Sequence, residues 1–235
     1  GIFYICLPLK LNLVALIKSI SGIRGTIGGK PGEGLSPLDV VKFTAAYGTW
    51  LSQQTENRKV VIGRDGRISG EMVKNLVVST LNGLGIDVVD LGFSTTPTVE
   101  LAVTMENAAG GIILTASHNP KEWNALKLLN SKGEFISGDD GAQLLDIAAR
   151  EDFNFADVNK LGTYTADDSY LQKHIDLIVN YPLVDGPASK ARNLKIAVDA
   201  GSSTGAIFVP PRLKALGVEE VEMLFDEVTG KFGHN

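Results

Sequence analysis

The sequence predicts an α/β fold: a three-layer αβα domain with a largely parallel mixed sheet, followed by the start of a second similar domain. Three observations predict it. Apolar runs of strand length alternate with amphipathic stretches of helix length between positions 37 and 114, the pattern of a parallel sheet crossed over by helices. The run Gly111-Ile112-Ile113-Leu114 is apolar throughout and leads into Thr115-Ala116-Ser117-His118-Asn119-Pro120, as a buried strand does where it ends in a tight turn. Finally, Lys59-Val60-Val61-Ile62-Gly63-Arg64-Asp65-Gly66 is echoed by Lys195-Ile196-Ala197-Val198-Asp199-Ala200-Gly201. Each is a lysine, an apolar strand, then Asp and Gly in the following loop, which hints at a repeated α/β unit.

Length and charge bound the possibilities. The 235 residues suffice for one or two domains, each able to bury its own core. A hydrophobic share of 44% with 21% charged residues is that of an ordinary globular protein. The net charge of −5 argues against the broad basic surface that nucleic acid or an anionic membrane requires. Neither is expected as a partner, and an anionic small substrate would need local cations. With Cys6 as the single cysteine, no internal disulfide and no cysteine zinc cluster can form. That favours a reducing compartment, and the cytoplasm is expected.

The elements follow in order. Residues 1–20 form an N-terminal extension whose apolar stretches are broken by Pro8, Lys10 and Asn12, too often for a membrane span of about 20 apolar residues. It lacks the flanks of a signal peptide, and it reads as a strand or hairpin or as a segment outside the ordered fold. A first domain is drawn over 21–160. Its glycine-rich loop reaches Gly34, and Ser36-Pro37 is an N-cap followed by proline at the first helical position. The helix spans 37–53, with Leu38, Val41, Phe43, Ala45, Ala46, Trp50 and Leu51 near one face. A strand over 59–63 and a turn lead to Ser69, the expected cap of a helix over 71–84 that Gly85 ends.

A strand over 86–91 and a helix from Thr96-Pro97 come next, and Gly110-Gly111 precedes the strand into the serine turn. Then come a strand over 124–129, a turn over 130–133 into 134–136, and a capped helix over 137–150. Residues 161–193 contain a helix over 167–179 and a linker over 182–193, rich in Pro, Gly, Ser and charge. Residues 194–235 are expected to be the incomplete start of a second domain: a strand from Lys195, a helix over 206–217 despite Pro210-Pro211, and a strand over 221–225. About fifty residues are fewer than the ~100 of a typical domain, so the chain reads as truncated.

Ser117 is the leading candidate for chemistry. In open α/β sheets, ligands collect beyond the ends of the strands, so its hydroxyl should be presented rather than buried. A serine is a poor nucleophile unless a base, a metal or a departing phosphoryl group changes the problem. A hydrolase of the α/β class would set it in Gly-x-Ser-x-Gly, but Ala116, His118 and Asn119 surround it, and an adjacent His118 is badly placed as its base. In a phosphotransferase, Ser117 would carry phosphate, adding about −1.5 to −2 charge. Arg24, between glycines, and Lys127, ten residues past the serine, are the natural cations. Structural readings stand beside these: His118 as a hydrogen-bonded structural residue, Arg64, Asp65 and Arg67 as loop braces, and Trp123 as packing. Asp139-Asp140 reads as a helix-start pair favoured by the dipole.

The segments Ser21-Gly22-Ile23-Arg24-Gly25, Gly63-Arg64-Asp65-Gly66-Arg67-Ile68-Ser69-Gly70 and Thr115-Ala116-Ser117-His118-Asn119-Pro120 with Trp123-Asn124-Ala125-Leu126-Lys127 resemble, in order, three segments of the α-D-phosphohexomutases. These are the arginine loop, the first-domain Gly-Arg-Asp segment and the phosphoserine loop. The resemblance continues more weakly into Val198-Asp199-Ala200-Gly201. It implies an intramolecular phosphotransferase interconverting hexose 1-phosphate and 6-phosphate through phosphorylated Ser117 and a bisphosphorylated sugar. Arg24 would steady the phosphate, Lys127 would serve proton transfer or charge, and His118 would shape the loop. Mg²⁺ would touch Ser117 through a phosphate oxygen, its main ligands belonging to an Asp-rich loop of the family's second domain that this chain lacks. A hexose 1,6-bisphosphate is the implied activator, and a glucose, mannose or glucosamine phosphate the implied substrate. On this reading the chain alone should not turn over. The alternative is a noncatalytic phosphate-binding or interaction module built from the same domain; the oligomeric state is left open.

Overall fold

The computed structural model describes residues 15–19 and 22–233. Its main sheet contains β1 (Leu16–Ser19), β2 (Gly22–Thr26), β3 (Lys59–Arg64), β4 (Asp87–Phe93), β5 (Gly110–Leu114), β6 (Trp123–Leu129) and β7 (Tyr164–Ala166), in the order β1-β2-β6-β5-β3-β4-β7. From β5 through β3 and β4 to β7 the strands are parallel. At the other side β1, β2, β6 and β5 pair antiparallel. The α/β class and the mixed sheet are as expected from the sequence. The sheet also draws strands from both sides of the 21–160 segment, namely β1 and β7. Leu16–Ser19 of the extension is thus a strand, whereas 1–14, Cys6 included, lies outside the described residues.

Helices cover both faces because the central strands are apolar at successive positions, which point to opposite sides. On one side Val60, Ile62, Ile112, Leu114, Leu126 and Leu128 pack under α1 (Pro37–Gln54), α2 (Gly70–Gly83) and α4 (Gly138–Arg150). On the other, Val61, Ile113 and Leu129 meet α3 (Thr96–Met105) and Tyr170 of α5 (Tyr170–Val179). Each fully buried aliphatic side chain is worth about 1.5–3 kcal/mol. Gly110 and Gly111 are not a preface to β5 but part of it: a Cβ at Gly110 would collide with the Tyr47 hydroxyl. That hydroxyl is shared between the carbonyls of Gly111 (3.1 Å) and Leu129 (2.7 Å), and burial pushes its pKa up.

Local signals placed most helix ends. Ser36 caps α1 and Ser137 caps α4, each in a reciprocal box with Asp39 or Asp140. Ser69 departs from expectation. It occupies the N-cap position of α2 without a capping bond, because its Oγ accepts from Asn124 Nδ2 at 2.9 Å, and the fully buried Asn124 has few other acceptors. The segment read as a linker contains α6 (Gly186–Ala191), capped by Asp185. The helix expected from 167 starts at Tyr170, since the Asp167 carboxylate holds a turn by accepting from Ser169 N at 2.9 Å.

The second unit is a strand-helix-strand repeat: β8 (Lys195–Asp199), α7 (Gly205–Ala215, with Pro210 and Pro211 inside) and β9 (Glu220–Leu224), the two strands parallel. The repetition seen in sequence extends to hydrogen bonding. Asp65 accepts from the amide two residues on, at 3.0 Å, and so does Asp199, at 2.9 Å. Among the described residues, no helix is long and apolar enough to cross a membrane.

Candidate active site

The site is built where β5 leaves the sheet. Thr115 and Ala116 stay buried, and Ser117 follows with φ +55°, a left-handed conformation that non-glycine residues adopt only when their surroundings hold them there. The chain thereby turns outward, leaving Ser117 and His118 exposed. Among the described residues neither the Ser117 hydroxyl nor the His118 ring has a hydrogen-bond partner. The serine is presented, as its position in the sequence predicts.

What holds the turn is Arg67. Its guanidinium is completely buried, and all five of its N–H bonds are directed at acceptors. Nη2 donates to the carbonyls of Ser117 (2.8 Å) and Asn119 (2.7 Å), and Nη1 to those of Pro120 and Trp123, both at 2.8 Å. Nε donates to Asp65 at 3.1 Å. The Asp65 carboxylate also accepts from Thr115 Oγ1 at 2.6 Å, and Thr115 Oγ1 accepts from the Ser117 amide at 3.1 Å. Burial pulls the Arg67 pKa down, and Asp65 pulls it back up. Asp65 and Arg67 thus brace the loop, as expected from the sequence. Arg64 also braces, pairing with Glu71 at 2.9 Å and lying 4.2 Å from the Phe93 ring centroid.

Strand register places the two cations. Arg24 on β2 stands opposite Ala125 of β6, and Lys127 stands opposite Ile113 of β5. Residues 125 and 127 share a face, so Arg24 and Lys127 are diagonal neighbours on the α3 side, separated only by the small Ala125. Both strands lie within two strand spacings of β5, roughly 10 Å. Arg24 is half-exposed, yet its Nε is buried and has no partner among the described residues. Lys127 Nζ lies 5.8 Å from the Phe135 ring centroid. Glu100 of α3 interacts with it; burial raises the Glu100 pKa, and Lys127 counters this. Glu100 escaped the sequence analysis, although as the lone charge in α3 it carried a signal. Asp139 and Asp140 sit at the start of α4 with Asp140 engaged in the capping box.

A mixed αβα sheet with an exposed serine on a clamped turn at a strand end, and with an arginine and a lysine on the adjoining strands, defines a first domain of the phosphohexomutase class. The comparisons agree. Residues 16–155 match the family described as phosphoglucomutase/phosphomannomutase, alpha/beta/alpha domain I, and the chain belongs to that family. A phosphoglucomutase/phosphomannomutase of Thermococcus kodakarensis is 36% identical over 202 residues, covering 85% of this chain and 44% of the relative. A phosphoglucosamine/phosphogalactosamine mutase of Sulfurisphaera tokodaii is 31% identical over 197 residues, covering 83% and 41%. The crystal structure of a phosphoglucomutase/phosphomannomutase family protein from Burkholderia thailandensis superposes with a TM-score of 0.76 at 27% identity, over 91% of this chain and 44% of that one. The chain spans less than half the length of these relatives.

Proposed function

We propose that Ser117 carries a phosphoryl group and that the protein to which this chain belongs interconverts hexose 1-phosphate and hexose 6-phosphate in the cytoplasm. The observation that carries the reading is the outward, left-handed turn at Ser117 under the Arg67 clamp. It fixes a free hydroxyl on a rigid support, and positioning with electrostatics dominates phosphoryl transfer.

In the forward half-reaction the bond between phosphorus and Ser117 Oγ breaks, and a bond from phosphorus to the free sugar hydroxyl forms. The Lys127 ammonium gives a proton to the departing serine oxygen and regains one from the attacking hydroxyl, so charge balances. The sugar, now bisphosphorylated, reorients, and its other phosphate returns to Ser117. Arg24 steadies the phosphate through its guanidinium charge. A unit charge pair at ~4 Å contributes on the order of 4 kcal/mol at an effective dielectric of 20. His118, exposed beside the serine, shapes the mouth of the loop.

Mg²⁺ is implied by the family resemblance. Among the described residues no group of three or more His, Cys, Asp or Glu side chains comes together, so these residues do not form a cage for it, and no step above runs through it. A phosphate oxygen on Ser117 is the contact this stretch would lend.

Glucose and mannose 1,6-bisphosphates are suitable phosphoryl donors for a test. Incubation of the full-length protein to which this chain belongs with either, in the presence of Mg²⁺, should add one phosphoryl group to the intact mass, localised to Ser117 by fragmentation and absent in Ser117→Ala. Bisphosphate binding without transfer would overturn this reading in favour of a phosphate-binding module.

A further inference from the structure

The clamp on the serine loop is itself covered from the second unit. Phe232 lies with its ring centroid 5.0 Å from the Arg67 guanidinium carbon, although the two residues are 165 positions apart. Beside it, Gly66 N donates to Ser203 Oγ at 3.1 Å, and Gly230 N donates to the Ser202 carbonyl at 3.1 Å. The fit is close on both sides. A Cβ on Gly66 would lie 2.8 Å from Val228 Cγ1, and one on Gly230 would collide with the Gly66 carbonyl and reach within 2.9 Å of Ile68 N. Thus the segment 228–232 and the loop 202–203 form a strap across residues 66–68.

The chemistry of the clamp gives this strap a purpose. Arg67 is a buried cation with one carboxylate, Asp65, and four carbonyl dipoles as partners. Water reaching its planar face would compete for those N–H bonds and loosen the carbonyls of Ser117 and Asn119. An aromatic face excludes water from a guanidinium while still attracting it through the ring quadrupole. We propose that Phe232 and Ser203 are positioning residues for the Ser117 loop, acting through Arg67 and Gly66, so that the loop is fully ordered only when the second unit is docked. The functional value of this device rests on the phosphotransfer reading; its physical content does not.

Hydrogen exchange on the 235-residue chain tests it. In Phe232→Ala, amides of 115–123 should exchange roughly tenfold faster, the order expected on losing a desolvated cation–π contact, while α1 and α4 keep their protection. Phe232→Tyr should restore the loop. Phe232→Leu should restore it only in part, because volume without a ring does not replace the quadrupole. Ser203→Ala should speed exchange at Gly66 and in the loop, and with Phe232→Leu it carries the test if Phe232→Ala melts β8 and β9. Unchanged loop exchange in both of those variants overturns the proposal. The rate of phosphoryl loading of the full-length protein from a hexose 1,6-bisphosphate is the second readout and should fall in step with loop order. Faster loop exchange alongside a full-length protein that never accepts phosphate would support the strap and remove the phosphotransfer reading; phosphate uptake with an indifferent loop would do the reverse.

Discussion

Ser117 holds a backbone conformation that costs a non-glycine residue energy, and the site depends on that. Ser117→Gly should raise stability by up to about 1 kcal/mol while abolishing phosphoryl uptake, as read by urea unfolding and intact mass. A loss of stability would show that the turn is not strained. Arg67 has the opposite profile. Arg67→Ala leaves Asp65 unpaired and four loop carbonyls without donors, so unfolding free energy should drop by about 3–5 kcal/mol. Arg67→Lys should recover only part, since three donors cannot serve five directions. The exposure of Ser117 was legible in the sequence because an apolar strand running into Asn-Pro marks an outward turn. The full role of Arg67 was not, because its acceptors are backbone carbonyls, which every residue possesses and no sequence distinguishes. Glu100 was missed because its meeting with Lys127 depends on how α3 lies over β6.

Among the elements, helix starts show where sequence reasoning reaches. Ser137 and Asp140 are three residues apart and satisfy each other, so the capping box of α4 is written locally. Ser137→Ala should cost about 1 kcal/mol, seen as a lower denaturation midpoint with an unchanged slope; no change would mean that water caps this exposed end equally well. Ser69 is a serine at a helix start too, but with Met72 three residues on it has no box partner and serves Asn124, fifty-five positions away, a contact only the folded sheet decides. Asp185 and Pro187 read as linker chemistry and turned out to start α6, since the same residues favour turns and helix caps. β7 could not be read at all. It is three residues long and exposed, held by the Tyr164 hydroxyl on Asp90 at 2.9 Å and by Thr163 on Asp87, contacts of long sequence separation.

At the scale of the molecule, His174 joins the two units. Buried in α5, it is hydrogen-bonded through Nδ1 to Thr98 Oγ1 of α3 at 3.0 Å, and its ring lies 4.9 Å from that of Phe208 in α7. Burial and, secondarily, the charge of Arg212 lower its pKa, so the native state takes up the proton less readily than an ordinary histidine. The unfolded chain binds a proton near the ordinary value of about 6.5. Below that pH the unfolded state therefore carries more protons, and stability falls as pH falls. Unfolding midpoints taken from about pH 7.5 to 5 should decline, and His174→Gln should flatten the decline; parallel curves for the two proteins would refute the assignment. The order of strands carries a further consequence. β2 pairs with β1 on one edge and with β6 on the other, Ile23 opposite Leu126, so the β1–β2 hairpin joins the sheet only once a segment made about a hundred residues later has emerged. At ~5–20 residues per second of synthesis, that leaves the inner edge of the arginine strand open on the ribosome for roughly 5–20 s. Arg24, Ser117 and Lys127 therefore come together in one late closure of the nascent chain, and this window is where a chaperone or a stray sheet edge would intercept it.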